Sequence, residues 1–261
     1  MTFTLKMLGG TVAATALMAA APAFAQSSGA LDGWSGEASL TGSRTTGNTD
    51  TTDLGLGLHL KKESANWRHT FNASADFGRV SGDTNKERYV LGYQIDRDLS
   101  DRLYVYGNAD YFQDGFGAFK DGYFLGTGLG YKVVEPTPLG WDVEAGVGYR
   151  SQKPRLGTGL TEAEIADIVA DGGLDRTNEV ALRGASKITY DFNDAVSLYN
   201  NSEAIWSDSD TYLWNEIGLT ASLAGNLSAR ASYRVDHHTD VLPGTEKTDT
   251  ITRFGVVYTM D

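Results

Sequence analysis

From Trp34 onward, apolar and polar residues alternate with period two almost throughout the chain. Leu54, Leu56, Leu58 and Leu60 alternate with Gly55, Gly57, His59 and Lys61. Trp141, Val143, Ala145, Val147 and Tyr149 alternate with Asp142, Glu144, Gly146, Gly148 and Arg150. Successive side chains of a strand point to opposite faces, so each segment has one apolar and one polar face. Twelve such segments begin near Trp34, Asp53, Trp67, Arg88, Arg102, Gly122, Trp141, Asn178, Ala195, Thr211, Asn226 and Thr248. Each runs for about ten to twelve residues, the length of a tilted strand crossing a bilayer core and longer than an ordinary soluble strand.

The connections alternate too. Lys62–Asn66, Asp98–Asp101, Glu135–Gly140, Asp191–Asp194 and Ala224–Asn226 read as tight turns, whereas Gly42–Thr52, Arg79–Glu87, Gln113–Asp121, Ser151–Thr177 and His237–Lys247 read as longer polar loops. Ser207–Asp210 is short but falls in the loop phase. Aromatics gather at strand ends in the apolar phase: Trp34, Trp67, Tyr93, Trp141 and Tyr190 at one end, Phe77, Tyr111, Tyr123, Tyr149 and Trp206 at the other. The predicted fold class is all-β: a closed antiparallel up-and-down transmembrane β-barrel of twelve strands, with short periplasmic turns and longer extracellular loops. Alternation alone leaves open a soluble barrel with its apolar face turned inward.

The segment before the first strand reads as an export leader. Lys6 supplies a positive start, Met7 to Ala20 an apolar stretch, and Ala23-Phe24-Ala25 a small-x-small site predicting cleavage between Ala25 and Gln26. The expected organisation is a signal peptide over 1–25 and a barrel domain over 26–261. Net charge is −12, and Lys6 is the leader's single charge, so the remainder carries −13. That balance argues against a nucleic-acid partner. The chain has no cysteine, which excludes disulfides and thiolate metal sites. Thr161-Glu162-Ala163-Glu164 matches a capping box and predicts one short helix in the longest loop, read either as a plug in the barrel mouth or as a helix packed on the loop surface.

The polar faces carry the candidate functional residues, a lumen-facing set of both signs: Glu37, Arg68, Asp76, Asp96, Asp110, Lys132, Asp142, Glu144, Arg150, Glu179, Arg183, Lys187, Glu203, Glu216, Arg230, Arg234 and Arg253. Such a set either pairs with itself and fills the interior, because buried charge needs partners, or forms a charged constriction that selects small solutes. Gly126, Gly128 and Gly130 alternate on the same face and make room for bulky opposing side chains. His59, His69, His237 and His238 show no metal-binding spacing; His237-His238 beside Asp236 and Asp240 is the nearest to one, and Ser207-Asp208-Ser209-Asp210 reads as solvated loop charge. No G-x-S-x-G elbow is present; His69 lies in the outward phase, near the periplasmic end, and no serine pairs with it on one outward face as a lipid hydrolase would need. No catalytic residue, metal or cofactor is assigned.

The segments TGNTDTTDLGLGLHLKKE (Thr46–Glu63) and YFLGTGLGYKVVEPTPLGWDVEAGVGYR (Tyr123–Arg150) resemble the domain-of-unknown-function family 481, whose members are often labelled salt-induced outer membrane proteins. The resemblance implies a barrel of the bacterial outer membrane, in contact with its lipid and inserted by the barrel assembly machinery. It supplies no ligand or catalytic residues. The chain ends Phe254-x-Val256-x-Tyr258-Thr-Met-Asp, with its last aromatic three places before the end. The expected function is a narrow pore for small hydrophilic solutes or ions, or a structural envelope protein linked to osmotic stress. The alternatives are a soluble periplasmic barrel holding an apolar or sugar ligand, and an outer-membrane lipid hydrolase.

Overall fold

The computed structural model describes residues 32–46, 51–80, 83–134 and 137–260. The leader, the Ala25–Gln26 junction and the G-N-T-D turn at 47–50 lie outside the described residues. Among the described residues, every strand lies within one compact unit, Ser35–Asp261.

Twelve strands follow one another around a ring: β1 (Ser35–Thr46), β2 (Thr51–Ser64), β3 (Trp67–Val80), β4 (Asp83–Asp98), β5 (Leu103–Asp114), β6 (Phe119–Val134), β7 (Leu139–Pro154), β8 (Thr177–Asn193), β9 (Val196–Trp206), β10 (Thr211–Ala224), β11 (Leu227–His238) and β12 (Thr248–Met260). Each pairs antiparallel with the next, and β12 closes on β1 from Gly36↔Met260 to Thr46↔Thr250. Among the described residues no edge strand is left unpaired. Both ends of the barrel chain therefore lie at the end of the short turns, the turn end; the opposite end is the loop end.

The ladders run further toward the loop end than the apolar pattern does. β1 reaches Thr46, β4 starts at Asp83, β6 at Phe119, and β7 continues to Pro154. Four of the expected long loops are accordingly shorter than their polar composition suggested. The reason is that a ladder hydrogen bond is made by the backbone and asks nothing of the side chain: Val80↔Asp83, Gly78↔Lys86 and Asp121↔Lys153 pair as well as any apolar couple.

Register places the apolar phase outside. Leu91, Leu125, Leu129, Val147, Leu182 and Val256 are each between 46% and 53% exposed. Trp67, Tyr93, Tyr131, Trp141, Tyr190 and Tyr258 ring the turn end of this band, and Tyr111, Tyr123, Tyr149, Trp206 and Tyr233 the loop end; all are exposed. A barrel storing an apolar ligand would turn these side chains inward, so the soluble alternative has the wrong polarity. The predicted capping box forms at α1 (Glu162–Ala170): Thr161 Oγ1 accepts from the Glu164 amide, and Glu164 accepts from the Thr161 amide. No residue of α1 is buried and Val169 is 54% exposed, so the helix sits on the loop surface and is not a plug.

Placing arginine at Leu129, between the two girdles, is expected to cost about 2–4 kcal/mol in lipid vesicles, the penalty for a cation on the lipid face of a barrel. A urea titration of vesicle-folded protein against the parent measures it; a change near zero means that the wall faces water.

Candidate functional site in the barrel interior

The interior wall of β6 and β7 is nearly bare. Gly126, Gly128 and Gly130 of β6 stand beside Gly146 and Gly148 of β7, and an added Cβ at any of them would strike an aromatic ring. The Tyr104 ring lies on Gly130, Tyr106 on Gly128 and Gly146, and Phe124 on Gly126 and Gly148. These rings are almost fully buried, at 0%, 2% and 4% exposure. Flat packing on glycine lets three large side chains lie buried against this wall. Arg68 lies over the Tyr104 ring at 5.0 Å and Arg183 over Tyr106 at 5.1 Å.

Charged side chains meet above this aromatic floor. Glu144 of β7 accepts from Arg183 Nη1 at 2.8 Å, Lys187 Nζ at 2.8 Å, Gln94 Nε2 at 2.9 Å and Tyr104 Oη at 3.0 Å. Arg183 also donates to Glu203 through Nε at 2.7 Å, and Asp96 accepts from Arg68 Nε at 2.7 Å and Gln94 at 2.8 Å. On the other side, Arg230 reaches Glu37 at 2.7 Å, Arg253 reaches Asp76 at 3.2 Å, and Arg234 holds Asp236 at 2.8 Å with Glu216 at 3.8 Å. Gln94 and Glu144 are three strands apart, as are Arg253 and Asp76 across the β1–β12 seam. Partners so separated on the ring can meet only through its interior.

Of the other candidate residues, Lys132 pairs with Asp98 at the turn end, and Glu179 accepts from the Ser209 amide and hydroxyl. Asp110 accepts from Asn108 Nδ2 at 2.5 Å. Asp110 and Asp142 form no salt bridge among the described residues. Toward the turn end the lumen is open: His59 and Asn72 are exposed, and the Lys187 side chain is 44% exposed.

The loop end is closed. Phe119 at the start of β6 meets His238 at the end of β11, nearly opposite on the ring, with ring centroids 4.8 Å apart. His238 stacks on Tyr212 at 4.7 Å, and Tyr212 donates to Asp236. Beside them, Arg150 Nη2 and His238 Nδ1 both reach Asp210 Oδ2, at 2.9 and 2.6 Å, while Asp210 Oδ1 accepts from the Asp240 amide at 3.1 Å. Burial opposes the charge of Asp210, but the hydrogen bond and charge of His238, with the Arg150 guanidinium, outweigh it and hold the carboxyl at about 2. Lys86 joins Asp53 at 3.0 Å and Thr45 at 2.6 Å. Over the mouth, the β7–β8 loop acts as a strap. Arg155 donates to the Asp114 and Gly117 carbonyls, and Gly157 abuts Gly244 so closely that neither has room for a Cβ, with the Thr158 amide donating to the Gly244 carbonyl at 3.1 Å.

Asp53, Lys86, Arg88, Asp114, Asp210 and Asp236 belong to this interior set but were missed in the sequence, because most of them lie where the apolar alternation stops. Asp210 is also a correction: the Ser207–Asp210 stretch is not solvated charge throughout, since Ser207 and Asp210 are 4% and 3% exposed. The histidine pair is divided between faces, with His237 bonded to Thr248 and His238 to Asp210. No cluster of three or more histidine or acidic side chains suited to a metal occurs among the described residues. His69 bonds the Tyr93 hydroxyl through Nδ1 at 2.7 Å.

A family model described as a protein of unknown function, DUF481, matches residues 38–260. The chain belongs to this family. No curated protein matches the DUF481 barrel in sequence. Among solved structures it is similar to the NanC porin, at 12% identity and TM-score 0.52, with 85% of this chain and 98% of that one covered. It is also similar to the translocator domain of the autotransporter NalP from Neisseria meningitidis, at 16% identity and TM-score 0.46 over 95% and 96% of the two chains. A KdgM porin in complex with disordered oligogalacturonate aligns at 9% identity and TM-score 0.45 over 86% and 99%. At these identities the likeness to NanC speaks for the fold alone, a closed antiparallel β-barrel.

Two outcomes are expected of this geometry. Replacing Glu144 by alanine leaves Arg183 to Glu203 alone and takes the shared acceptor from Gln94, Tyr104 and the half-exposed Lys187, and should cost about 1–3 kcal/mol, read from denaturant unfolding of the folded barrel. Because the Asp210 carboxyl is depressed, its stabilising bonds are present above the ordinary aspartate range near 4 and are lost as pH falls through about 2. Hydrogen-exchange protection of the Asp240 amide should therefore persist at pH 4 and collapse near pH 2, with Asp210→Ala, which has no acceptor there, unprotected at both.

Proposed function

We propose that the chain is an outer-membrane barrel forming a narrow channel for small hydrophilic solutes or ions, shut at its loop end in this conformation. The observation that carries this reading is the asymmetry of the interior: charged and solvent-reachable at the turn end, sealed by side chains and a strap at the loop end. In the proposed orientation the turns face the periplasm and the loops face outward, with lipid against the apolar band. Acidic and basic side chains that pair within the wall give the lumen a polar lining without a large net charge, which suits small polar solutes of either sign.

The buried Tyr104–Tyr106–Phe124 floor and the Glu144–Arg183–Glu203 network favour a second reading, in which the barrel is a filled structural element of the envelope. Planar-bilayer recording separates the two. A variant in which residues 156–175 of the strap are replaced by a short glycine-serine linker is expected to conduct well above the parent. No current from either protein leaves the filled barrel standing.

A further inference from the structure

The side chains that meet across the loop end include one histidine, and its environment has a use beyond filling space. His238 is the meeting point of four elements. It touches Phe119 of β6, stacks on Tyr212 of β10, hydrogen-bonds Asp210 of the β9–β10 connection, and its own amide donates to the Lys247 carbonyl at 2.8 Å. Through Asp210 it is coupled to Arg150 of β7, which also holds the Asp210 carbonyl at 2.9 Å and Ser207 Oγ at 3.3 Å. No other side chain links β6, on one side of the mouth, to β10 and β11 on the other by a ring contact among the described residues.

We propose that His238 makes the loop-end closure pH-sensitive, so that acid tightens the latch and neutral or alkaline conditions loosen it. This rests on the channel reading above. Histidine is the side chain that ordinarily changes charge across the near-neutral range, and its contact here is with a carboxylate. A neutral imidazole offers Asp210 a hydrogen bond; an imidazolium offers the same bond with a full charge behind it, and charge-assisted bonds are about twice as strong.

The sign follows from the groups that face His238. Asp210 is in direct contact at 2.6 Å, and Asp240, next along the chain, presents its amide to the same carboxylate. The opposing cation is Arg150, already engaged by Asp210 at 2.9 Å. Behind the Tyr212 ring, Arg234 is paired with Asp236 at 2.8 Å, while Arg88 reaches Asp114 only at 3.8 Å and has no hydrogen bond through its buried Nε. Phe119 contributes no charge. The contact carboxylate therefore outweighs the more distant cation, and a proton on His238 strengthens the bond that ties β11 to the β9–β10 connection.

The full-length barrel, reconstituted in planar bilayers, tests this with His238→Gln, which retains hydrogen-bonding capacity but cannot titrate. The parent's open probability is expected to fall about fivefold between pH 7.5 and pH 5.5, the ratio given by the difference between a neutral and a charge-assisted hydrogen bond, and the glutamine variant to be flat over that range. A parent insensitive to pH, or a variant that keeps the parent's slope, overturns the latch. If neither protein conducts at any pH, the channel reading fails and protection of the Asp240 amide decides the latch separately. Greater protection at pH 5.5 than at 7.5 in the parent but not in the variant supports it, and equal protection overturns it.

Discussion

The interior chemistry depends on closure of the ladder between β1 and β12. Eleven paired positions from Gly36↔Met260 to Thr46↔Thr250 complete the ring, so that the barrel's backbone groups are satisfied by neighbours and not by solvent. Once the backbone is taken care of, side chains on the outer face are free to be apolar and those on the inner face free to be charged. The same closure sets the interior: a ring of fixed strand number has limited internal space, and whatever points inward must be accommodated there.

That accommodation is uneven. On the β6–β7 side, five glycines admit three buried aromatic rings, and Arg68 and Arg183 lie on two of them before reaching Asp96 and Glu144. On the side of β9 to β12 and β1, Tyr199, Glu216, Arg230 and Glu37 are only half-buried. Each buried cation has a carboxylate within reach, as desolvation requires, and the result is a wall whose charges are mostly spent on one another. What remains for a passing solute lies on the less filled side.

The strand number, the phase of each strand and the single loop helix were legible in the sequence because each rests on a local rule. Leu54 to Leu60 cannot be turned inward one at a time, and Thr161 with Glu164 is a cap wherever it occurs. The loop-end closure was not legible. Thr45, Lys86 and Asp210 are polar residues beyond the apolar band, and in a linear reading such residues are loops. They are buried because strands that continue past the band still face one another across the ring, a relation between positions as distant in sequence as Phe119 and His238. Likewise, the alternating glycines announced space to be filled, but only the register identified Tyr104, Tyr106 and Phe124 as what fills it.

The combination of an open turn end with a closed loop end makes the molecule chemically one-sided. A reagent or exchanging proton arriving from the turn side meets His59, Asn72 and the Lys187 amine inside the barrel, whereas one arriving from the loop side meets the strap and α1. Placed in a membrane as proposed, such a lumen is an annex of a single compartment, sharing that compartment's ions and acidity.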